Sequence, residues 1–301
     1  MKDNLKKIKN LPLVLEAKRI NLKEVSNTLT AKLLKEAKKS DRNIFAYKII
    51  YKSQGHKVIG YIVEPRKGKN LPNVIWNRSG SNEIGSIKLK HLFTKISEFA
   101  KHGYITIATQ YSGNNGGEGK DEFGGSDIED VLNLYKILRG YGRSDTSKIG
   151  MYGISRGGLM AYLSLARVKW LKAVVVIGAP TDQISAVKFR KGWREHQIKM
   201  YGGSLKENKK RSPIYWTEKF SKKTPLLIMH GLADWRVNPT DSFRLAQKLY
   251  EKKIPYRLIM FEGADHAISE YLETRNKYTF EWLDRFLKQN EPLPILKPHG
   301  E

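Results

Sequence analysis

The chain has 301 residues, contains no cysteine and carries a formal net charge of +25. The lack of cysteine excludes disulfides, thiolate nucleophiles, cysteine-based zinc or iron–sulfur sites and lipid anchors on cysteine. No apolar run approaches the roughly 18 residues of a membrane span, and the best N-terminal run, 11–15, is too short for a signal peptide. We therefore expect a soluble, cytoplasmic protein without a membrane span.

Two segments hold most of the excess positive charge. Residues 1–42 contain 12 Lys or Arg against 5 Asp or Glu, and residues 182–223 contain 12 against 4. No recognisable nucleic-acid-binding module accompanies either segment. We interpret this charge as lysine-rich, solvated surface and expect no obligate nucleic-acid partner, with binding to an anionic partner as the alternative.

The first 43 residues are predicted to form a basic, helical leader. Thr30 is a suitable N-cap for a helix over 31–39, and Pro12 should interrupt any helix that precedes it. Two segments rich in Ile, Val and Tyr, 44–51 and 57–63, follow as a predicted antiparallel hairpin.

Beyond the hairpin, short apolar strands alternate with amphipathic helices. The predicted strands are 74–76, 104–108, 148–152, 173–177, 225–229 and 256–261. The predicted helices are 87–101, 127–138, 157–167, 239–251 and 270–288. Strands that are apolar on both faces and separated by helices indicate an α/β fold with a mostly parallel sheet and helices on both faces. This domain would span 44–290, followed by a C-terminal tail over 291–301.

One long segment, 179–224, interrupts this alternation between two predicted strands. We interpret it as an inserted lid, which coincides with the second basic segment. Its aromatic residues Trp193, Tyr201 and Trp216 are candidates to pack over a pocket.

Residues 148–158 place a serine between a predicted strand and a predicted helix. They read Lys-Ile-Gly-Met-Tyr-Gly-Ile-Ser-Arg-Gly-Gly and contain the pattern G-x-S-x-G around Ser155. A serine on such a sharp turn needs small neighbours, here Gly153 and Gly157, and stands above the sheet edge. The helix N-terminus and the Arg156 amide would favour an oxyanion there. The alternative is a plain strand-to-helix turn.

A serine hydroxyl needs a general base, for which His266 is the predicted residue. His266 lies in the loop after the strand 256–261, at the sheet edge where catalytic groups of open α/β sheets meet. His230 also ends a predicted strand. It is the alternative base, although a hydrogen-bonded turn residue is the simpler interpretation.

Asp234 is the predicted orienting acid, since it follows the strand 225–229 at the same edge and completes the order Ser, Asp, His along the chain. Asp265 is the neighbour of His266, and adjacent side chains usually point apart. Asp241 is explained as a charge at the start of a helix. We predict that Ser155 attacks an acyl carbon, that His266 takes and returns the proton, and that Asp234 holds the imidazole.

Four motifs follow one another along the chain. They are 111–125 (Tyr-Ser-Gly-Asn-Asn-Gly-Gly-Glu-Gly-Lys-Asp-Glu-Phe-Gly-Gly), 153–158, 230–237 (His-Gly-Leu-Ala-Asp-Trp-Arg-Val) and 263–266 (Gly-Ala-Asp-His). As a set they resemble the catalytic domain of the prolyl oligopeptidase family (peptidase family S9) of α/β-hydrolases, over about residues 44–290.

The resemblance implies an eight-stranded α/β-hydrolase sheet and a serine peptidase or related acyl hydrolase. Ser155, Asp234 and His266 fall on the family's triad positions. Within the same motifs, Tyr111 and Trp235 are predicted to contact the substrate.

The sequence departs from the family's pattern in two places. Where many relatives carry His-Gly-Gly or Tyr-Gly-Gly, this chain has Asn77-Arg-Ser-Gly80. The oxyanion hole is therefore expected to combine the Arg156 amide with one from Arg78 or Ser79. Peptidases of the family usually carry an N-terminal β-propeller that gates peptide size, and we expect none because only about 43 residues precede the sheet.

The leading prediction is a serine hydrolase that cleaves the peptide bond of a small substrate, with a carboxylesterase acting on small esters as the alternative. A non-catalytic basic protein that binds surfaces or polyanions is the alternative from another class. No cofactor or metal is predicted, and the predicted partner is the small peptide or ester substrate.

Overall fold

Nine strands form a sheet in the order β1-β2-β3-β5-β4-β6-β7-β8-β9 in a computed structural model that describes residues 3–299. The strands are β1 Val14–Ile20, β2 Ile44–Ser53, β3 His56–Pro65, β4 Leu71–Asn77, β5 Ile105–Thr109, β6 Ser144–Ile154, β7 Leu171–Ile177, β8 Leu226–Gly231 and β9 Tyr256–Phe261. The α-helices of the described chain are α1 Leu5–Lys9, α2 Ala31–Asp41, α3 His91–Thr94, α4 Ser97–Lys101, α5 Ile128–Gly140, α6 Arg156–Leu165, α7 Ala186–Phe189, α8 Trp193–Tyr201, α9 Leu205–Lys210, α10 Thr240–Glu251 and α11 Leu272–Leu287.

The chain divides into two compact units. The first unit contains residues 3–121 and 126–149, and the second contains residues 122–125 and 150–299. The boundary falls within β6, so the first unit holds β1 to β5 and the second holds β7 to β9.

The first unit is built on the predicted hairpin, which is confirmed. β2 and β3 pair antiparallel from Ile44↔Pro65 to Ser53↔His56. The two turn residues, Gln54 and Gly55, both have positive φ, of 51° and 85°. Such a two-residue turn twists in the same sense as the strands it joins. β3 then pairs antiparallel with β5, and β4 lies parallel to β5.

The prediction of a wholly helical leader is wrong. Thr30 caps α2 as expected, because its hydroxyl oxygen accepts the Leu33 amide, and α1 ends before Pro12. Between these helices, however, β1 pairs antiparallel with the edge of β2. The alternation of buried and exposed residues in β1 is weak, with Ile20 as its one fully buried residue. The strand therefore forms because β2 offers a free edge, a long-range effect that leaves little trace in local sequence.

The single helix predicted over 87–101 is also wrong, because two short helices, α3 and α4, stand in its place. The amides of both Lys95 and Ile96 donate to the carbonyl oxygen of His91, at 3.0 and 2.9 Å. Two donors on one carbonyl shift the helical register at this point and end α3.

The His91 side chain near this break is expected to make stability depend on pH. Burial, followed by the charges of Lys95, Lys90 and Lys88, lowers the pKa of its imidazole to about 4. An unfolded histidine has a pKa of roughly 6.5. Between these values the unfolded chain binds a proton that the folded chain does not, so the free energy of unfolding falls as pH drops from about 6.5 toward 4.

The variant His91→Asn tests this, because its amide oxygen can still accept the Lys88 amide that His91 Nδ1 accepts at 3.2 Å. Chemical denaturation at about pH 7 and about pH 5 should show a smaller loss of unfolding free energy for His91→Asn than for the wild type. Equal losses in the two proteins would contradict the prediction.

The second unit carries the parallel part of the sheet. β7 lies parallel to β8, and β8 lies parallel to β9. All ten residues of α6 are buried. A side chain at Gly150 in β6 would collide with Leu283 and Leu287 of α11, so this helix packs directly on the strand. The predicted α/β class is thus confirmed, with nine strands in place of eight because β1 was not foreseen.

Residues 179–224 connect β7 to β8 and contain three short α-helices, α7, α8 and α9. Their function as a lid stays a prediction. Across residues 3–299, no helix combines the length and the apolar character that crossing a membrane requires.

Candidate active site

Ser155 occupies the turn between β6 and α6, as the sequence predicts. Its backbone has φ 57° and ψ −124°. An L-residue with a side chain rarely adopts positive φ, so this serine sits in a strained conformation that the surrounding structure must hold. Ser155 is partly exposed, whereas Arg156, the first residue of α6, is buried.

Two glycines permit this turn. A methyl group on Gly153 would lie 2.1 Å from the carbonyl carbon of Gly157, and one on Gly158 would lie 2.4 Å from the Cβ of Ala179. Carbon atoms cannot approach this closely without a shift of the backbone. Glycine at positions 153 and 158 is therefore a steric requirement of the turn itself.

Gly153→Ala is expected to lower the free energy of unfolding by about 3 kcal/mol or more, because the new methyl group meets backbone that cannot rotate away. Gly142→Ala is a matched control, since no atom lies within 4 Å of its added methyl group. Urea denaturation should separate the two variants clearly. Similar midpoints for both would show that the turn has room for a side chain.

Asp234 lies just after β8 and is held by four hydrogen bonds. Its Oδ1 accepts the backbone amides of Arg236 and Val237, at 2.8 and 3.0 Å. Its Oδ2 faces two imidazoles, with His266 Nδ1 at 2.7 Å and His230 Nε2 at 3.0 Å. The carboxylate is buried, and these contacts fix its orientation.

These hydrogen bonds decide the charge of the Asp234 carboxyl. Burial by itself would raise its pKa, but the hydrogen bonds from His230 and His266 outweigh burial and lower the pKa well below its ordinary value. The group is therefore an ionised acceptor at neutral pH. A carboxylate beside the Nδ1 of His266 keeps the proton on that nitrogen and leaves Nε2 to act as a base.

His230 belongs to β8 itself and not to a turn. Its Nε2 faces two acceptors, Asp234 Oδ2 and the Val237 carbonyl oxygen at 3.2 Å, so this nitrogen carries a hydrogen. Its Nδ1 lies 2.7 Å from the Ser242 hydroxyl. Both nitrogens are thus engaged in a fully buried ring. The geometry favours His266, which is partly exposed, as the proton-transferring residue.

The end of β7 brings Ser155 close to Asp234 and His266. The Ser155 amide donates to the carbonyl oxygen of Ile177, the last residue of β7, at 2.8 Å. The next residue, Gly178, has φ +51°, and a methyl group on it would lie 3.2 Å from both Asp234 Oδ2 and His266 Nδ1. Ser155 and the Asp234–His266 pair therefore flank the same strand end.

The two alternative acids have other partners. Asp265 Oδ1 accepts the amides of Ala267 and Ser269, at 2.9 and 2.8 Å, which shapes the loop around His266. Asp241 lies in the first turn of α10 and accepts the Thr181 amide and an Arg244 guanidinium nitrogen.

The residues predicted to contact the oxyanion or the substrate differ in how deeply they are buried. In the first unit, Arg78 is fully buried, and its guanidinium donates to Gln110 and to the Asn82 carbonyl within the loop after β4. The Tyr111 side chain is also buried, and its hydroxyl donates to the Arg78 carbonyl oxygen at 2.9 Å. In the second unit, Trp235 is 62% exposed. Roles of Arg78, Ser79, Tyr111 and Trp235 in catalysis or substrate contact stay predictions.

A pocket in the second unit opens beside Ser155. The pocket comprises about 350 Å³ of empty space, part of which is open solvent. The walls are Phe123, Pro180, Ala186, Phe189, Arg190, Trp193, Arg236, Val237, Asn238 and Asp241. Of the three aromatic residues of 179–224 that were predicted to pack over a pocket, Trp193 lines this one, whereas Tyr201 and Trp216 do not. The pocket residues Phe123 and Arg190 were missed: Phe123 lies within the motif 111–125 but was not assigned to the site, and no motif contains Arg190.

Phe123 and Trp193 form an aromatic wall of this pocket. Their rings meet edge to face, with centroids 5.6 Å apart, and the Arg156 guanidinium lies over Phe123 at 4.9 Å. The Arg156 side chain therefore stabilises this wall, which leaves its backbone amide as the group predicted to contact an oxyanion. Within the described residues, no three His, Asp or Glu side chains form a set that could hold a metal ion.

Comparison with known proteins identifies the family to which the chain is similar. The Prolyl oligopeptidase family (Peptidase_S9) matches residues 90–290. The uncharacterised peptidase YtmA of Bacillus subtilis (strain 168) is 29% identical over 230 residues, which cover 75% of this chain and 87% of YtmA. Dipeptidyl peptidase family member 6 of Caenorhabditis elegans is 24% identical over 204 residues, or 62% of this chain, which span 27% of that protein.

The fold has solved counterparts. The acylaminoacyl peptidase of Pyrococcus horikoshii superimposes with a TM-score of 0.70 at 19% identity, over 89% of this chain and 44% of that one. This likeness shows an α/β-hydrolase fold, as the sequence motifs imply. The chain spans less than half the length of that structure.

Proposed function

Because the chain belongs to the prolyl oligopeptidase family and is a serine hydrolase, we propose that it cleaves small acyl substrates through Ser155, His266 and Asp234 with an acyl-enzyme intermediate. The observation that carries the proposal is the Asp234–His266 hydrogen bond of 2.7 Å beside the strand end that also binds the Ser155 amide.

In the first half-reaction, the Ser155 oxygen attacks the acyl carbon while His266 Nε2 takes the hydroxyl proton. The carbonyl oxygen becomes an oxyanion, which the Arg156 amide and the N-terminus of α6 stabilise. His266 then returns the proton to the leaving group, and the bond between the acyl carbon and the leaving group breaks. The products are the acyl-serine and the free amine or alcohol.

In the second half-reaction, water attacks the acyl-serine with His266 again as the base. The proton returns to the Ser155 oxygen, and the acid product leaves. Asp234 stays ionised throughout and stabilises the imidazolium. The second oxyanion donor, from Arg78 or Ser79, stays a prediction from the sequence.

We propose a peptide bond as the first substrate class, since the relative YtmA is described as a peptidase, and a small ester as the alternative. A fluorophosphonate probe should label the folded wild type and not Ser155→Ala. Parallel assays with aminoacyl coumarin amides and p-nitrophenyl acyl esters distinguish the two substrate classes. Absence of Ser155-dependent labelling would refute the serine hydrolase mechanism.

A further inference from the structure

Two guanidinium groups, from Arg190 and Arg236, line the pocket that contains Ser155. Arg190 comes from the segment between β7 and β8, just after α7, and is half-buried. Arg236 follows Asp234 by two residues. The mechanism proposed above uses neither guanidinium.

Aromatic rings contact both cations, and the Trp235 ring contacts each of them. Arg190 lies over Trp193 with 4.7 Å to the ring centroid, and over Trp235 with 5.8 Å. Arg236 lies over the same Trp235 ring at 4.8 Å. Contacts with ring faces position a guanidinium while leaving its N–H groups available to a ligand.

The two positive charges are not neutralised by the protein. Within residues 3–299, no carboxylate lies within ion-pair distance of the Arg190 or Arg236 guanidinium. Asp241, the acid in the pocket wall, is bound to Arg244 and the Thr181 amide. Asp234 is occupied by its four hydrogen bonds.

The pKa of Arg190 also reflects a nearby positive charge that no carboxylate of the described residues neutralises. Burial, followed by the positive charge of Arg236, lowers the pKa of the Arg190 guanidinium, against a smaller opposing effect of Asp234. Two like charges that repel each other beside a pocket are stabilised when an anion enters between them. Carboxylates suit this position, because a guanidinium binds them through two parallel hydrogen bonds.

We propose that Arg190 and Arg236 bind a carboxylate of the substrate, so that the enzyme prefers acyl groups bearing a negative charge near the scissile bond. The aromatic wall of Phe123 and Trp193 would pack against the apolar part of the same acyl group. This inference rests on the proposed function, since it assigns a substrate class to the pocket beside Ser155.

The test compares two isosteric substrates that differ in charge, N-acetyl-Glu and N-acetyl-Gln coumarin amides. A matched ester pair, ethyl hydrogen glutarate and ethyl 4-carbamoylbutanoate, serves if the enzyme prefers esters. We expect kcat/KM to favour the charged member by roughly 10- to 100-fold, the effect of a charge-assisted hydrogen-bonded pair. A ratio near one in the wild type would overturn the proposal.

Substitution of each arginine tests whether Arg190 and Arg236 cause the preference for the charged substrate. Arg190→Gln and Arg236→Gln should each lower the charged-to-neutral ratio by about tenfold. Lys188→Gln is the matched control, because it removes one positive charge from an exposed position of α7 outside the pocket. An equal drop in Lys188→Gln, abolished by high salt, would indicate long-range steering by the basic segment and overturn the proposal.

The outcomes separate this inference from the proposed function. Labelling of every variant by a fluorophosphonate probe shows that the fold and the nucleophile are intact. Labelling with turnover but no charge preference rejects the arginine proposal alone. Loss of Ser155-dependent labelling in the wild type rejects the hydrolase mechanism itself.

Discussion

Replacing Ser155 with alanine is expected to lower kcat by about 10⁴- to 10⁶-fold, because no acyl-enzyme can form without the serine oxygen. The fold should be retained, since alanine keeps the small volume that the turn requires and the Ser155 amide can still donate to Ile177. Steady-state kinetics on the best substrate from either class measures the loss, and the thermal midpoint confirms that the variant is folded.

A second serine provides the control for this substitution. Ser269 lies exposed in the loop after His266 and belongs to no part of the proposed mechanism. Ser269→Ala should retain kcat within about twofold, as surface substitutions usually do. If Ser155→Ala remained active within tenfold while folded, nucleophilic catalysis by this residue would be excluded.

Asp234→Asn is expected to lower kcat by about 10³- to 10⁴-fold. The oxygen of the asparagine side chain can still accept the hydrogen bonds from the amides of Arg236 and Val237. In that orientation the NH₂ group of the asparagine points toward the two histidines. His266 Nδ1 must then accept a hydrogen bond, so the imidazole proton moves to Nε2, and this nitrogen can no longer take the proton of Ser155. The catalytic residues stay in place, but the histidine has the wrong tautomer.

The same variant should also be less stable than the wild type. The NH₂ group of the new asparagine would face His230 Nε2, which already donates toward the Val237 carbonyl oxygen. Two donors facing each other in a buried site leave a hydrogen bond unmade, which typically lowers stability by about 1–3 kcal/mol. Urea denaturation measures this effect independently of activity.

Asp265→Asn is the control for the choice of the acid. Its Oδ1 accepts two backbone amides, which an asparagine oxygen can equally accept. We expect a change in kcat below about tenfold. A larger loss in Asp265→Asn than in Asp234→Asn would show that the carboxylate next to His266 in sequence is the orienting acid.

The turn at Ser155 was predictable because its requirements are local. A strained serine between a strand and a helix needs glycines at fixed offsets, and the collisions that side chains at Gly153 and Gly158 would make explain why these positions are glycine. That Ser155, Asp234 and His266 each follow a strand at one edge of the sheet was predictable from the alternation of strands and helices, since parallel strands end at one edge.

The contacts of His230, at the end of β8, could not be predicted from its neighbours in the sequence. Its position after an apolar run suggested a turn residue. The structure gives it two bonded nitrogens, one toward Asp234 and one toward Ser242, which lies twelve residues further along the chain. That a second histidine supports the same carboxylate depends on how α10 packs beside β8, for which the sequence has no short-range signal.

The sequence by itself thus determined the α/β class, the turn at Ser155 and the candidates for base and acid. The spacing of apolar residues and the steric requirements of a tight turn both act over a few neighbouring residues, so they can be read from the sequence. Only the tertiary structure decided that β1 joins the sheet edge, that His266 binds the same carboxylate as His230, and that Arg190 lies over the ring of Trp235. Each of these depends on at least one contact between segments distant along the chain, such as that of Asp234 with His266 or of Arg190 with Trp235. A strand that pairs with a free edge, and two loops that pack together at a pocket, gain their stabilising free energy only in the folded state. No local sequence pattern encodes that free energy.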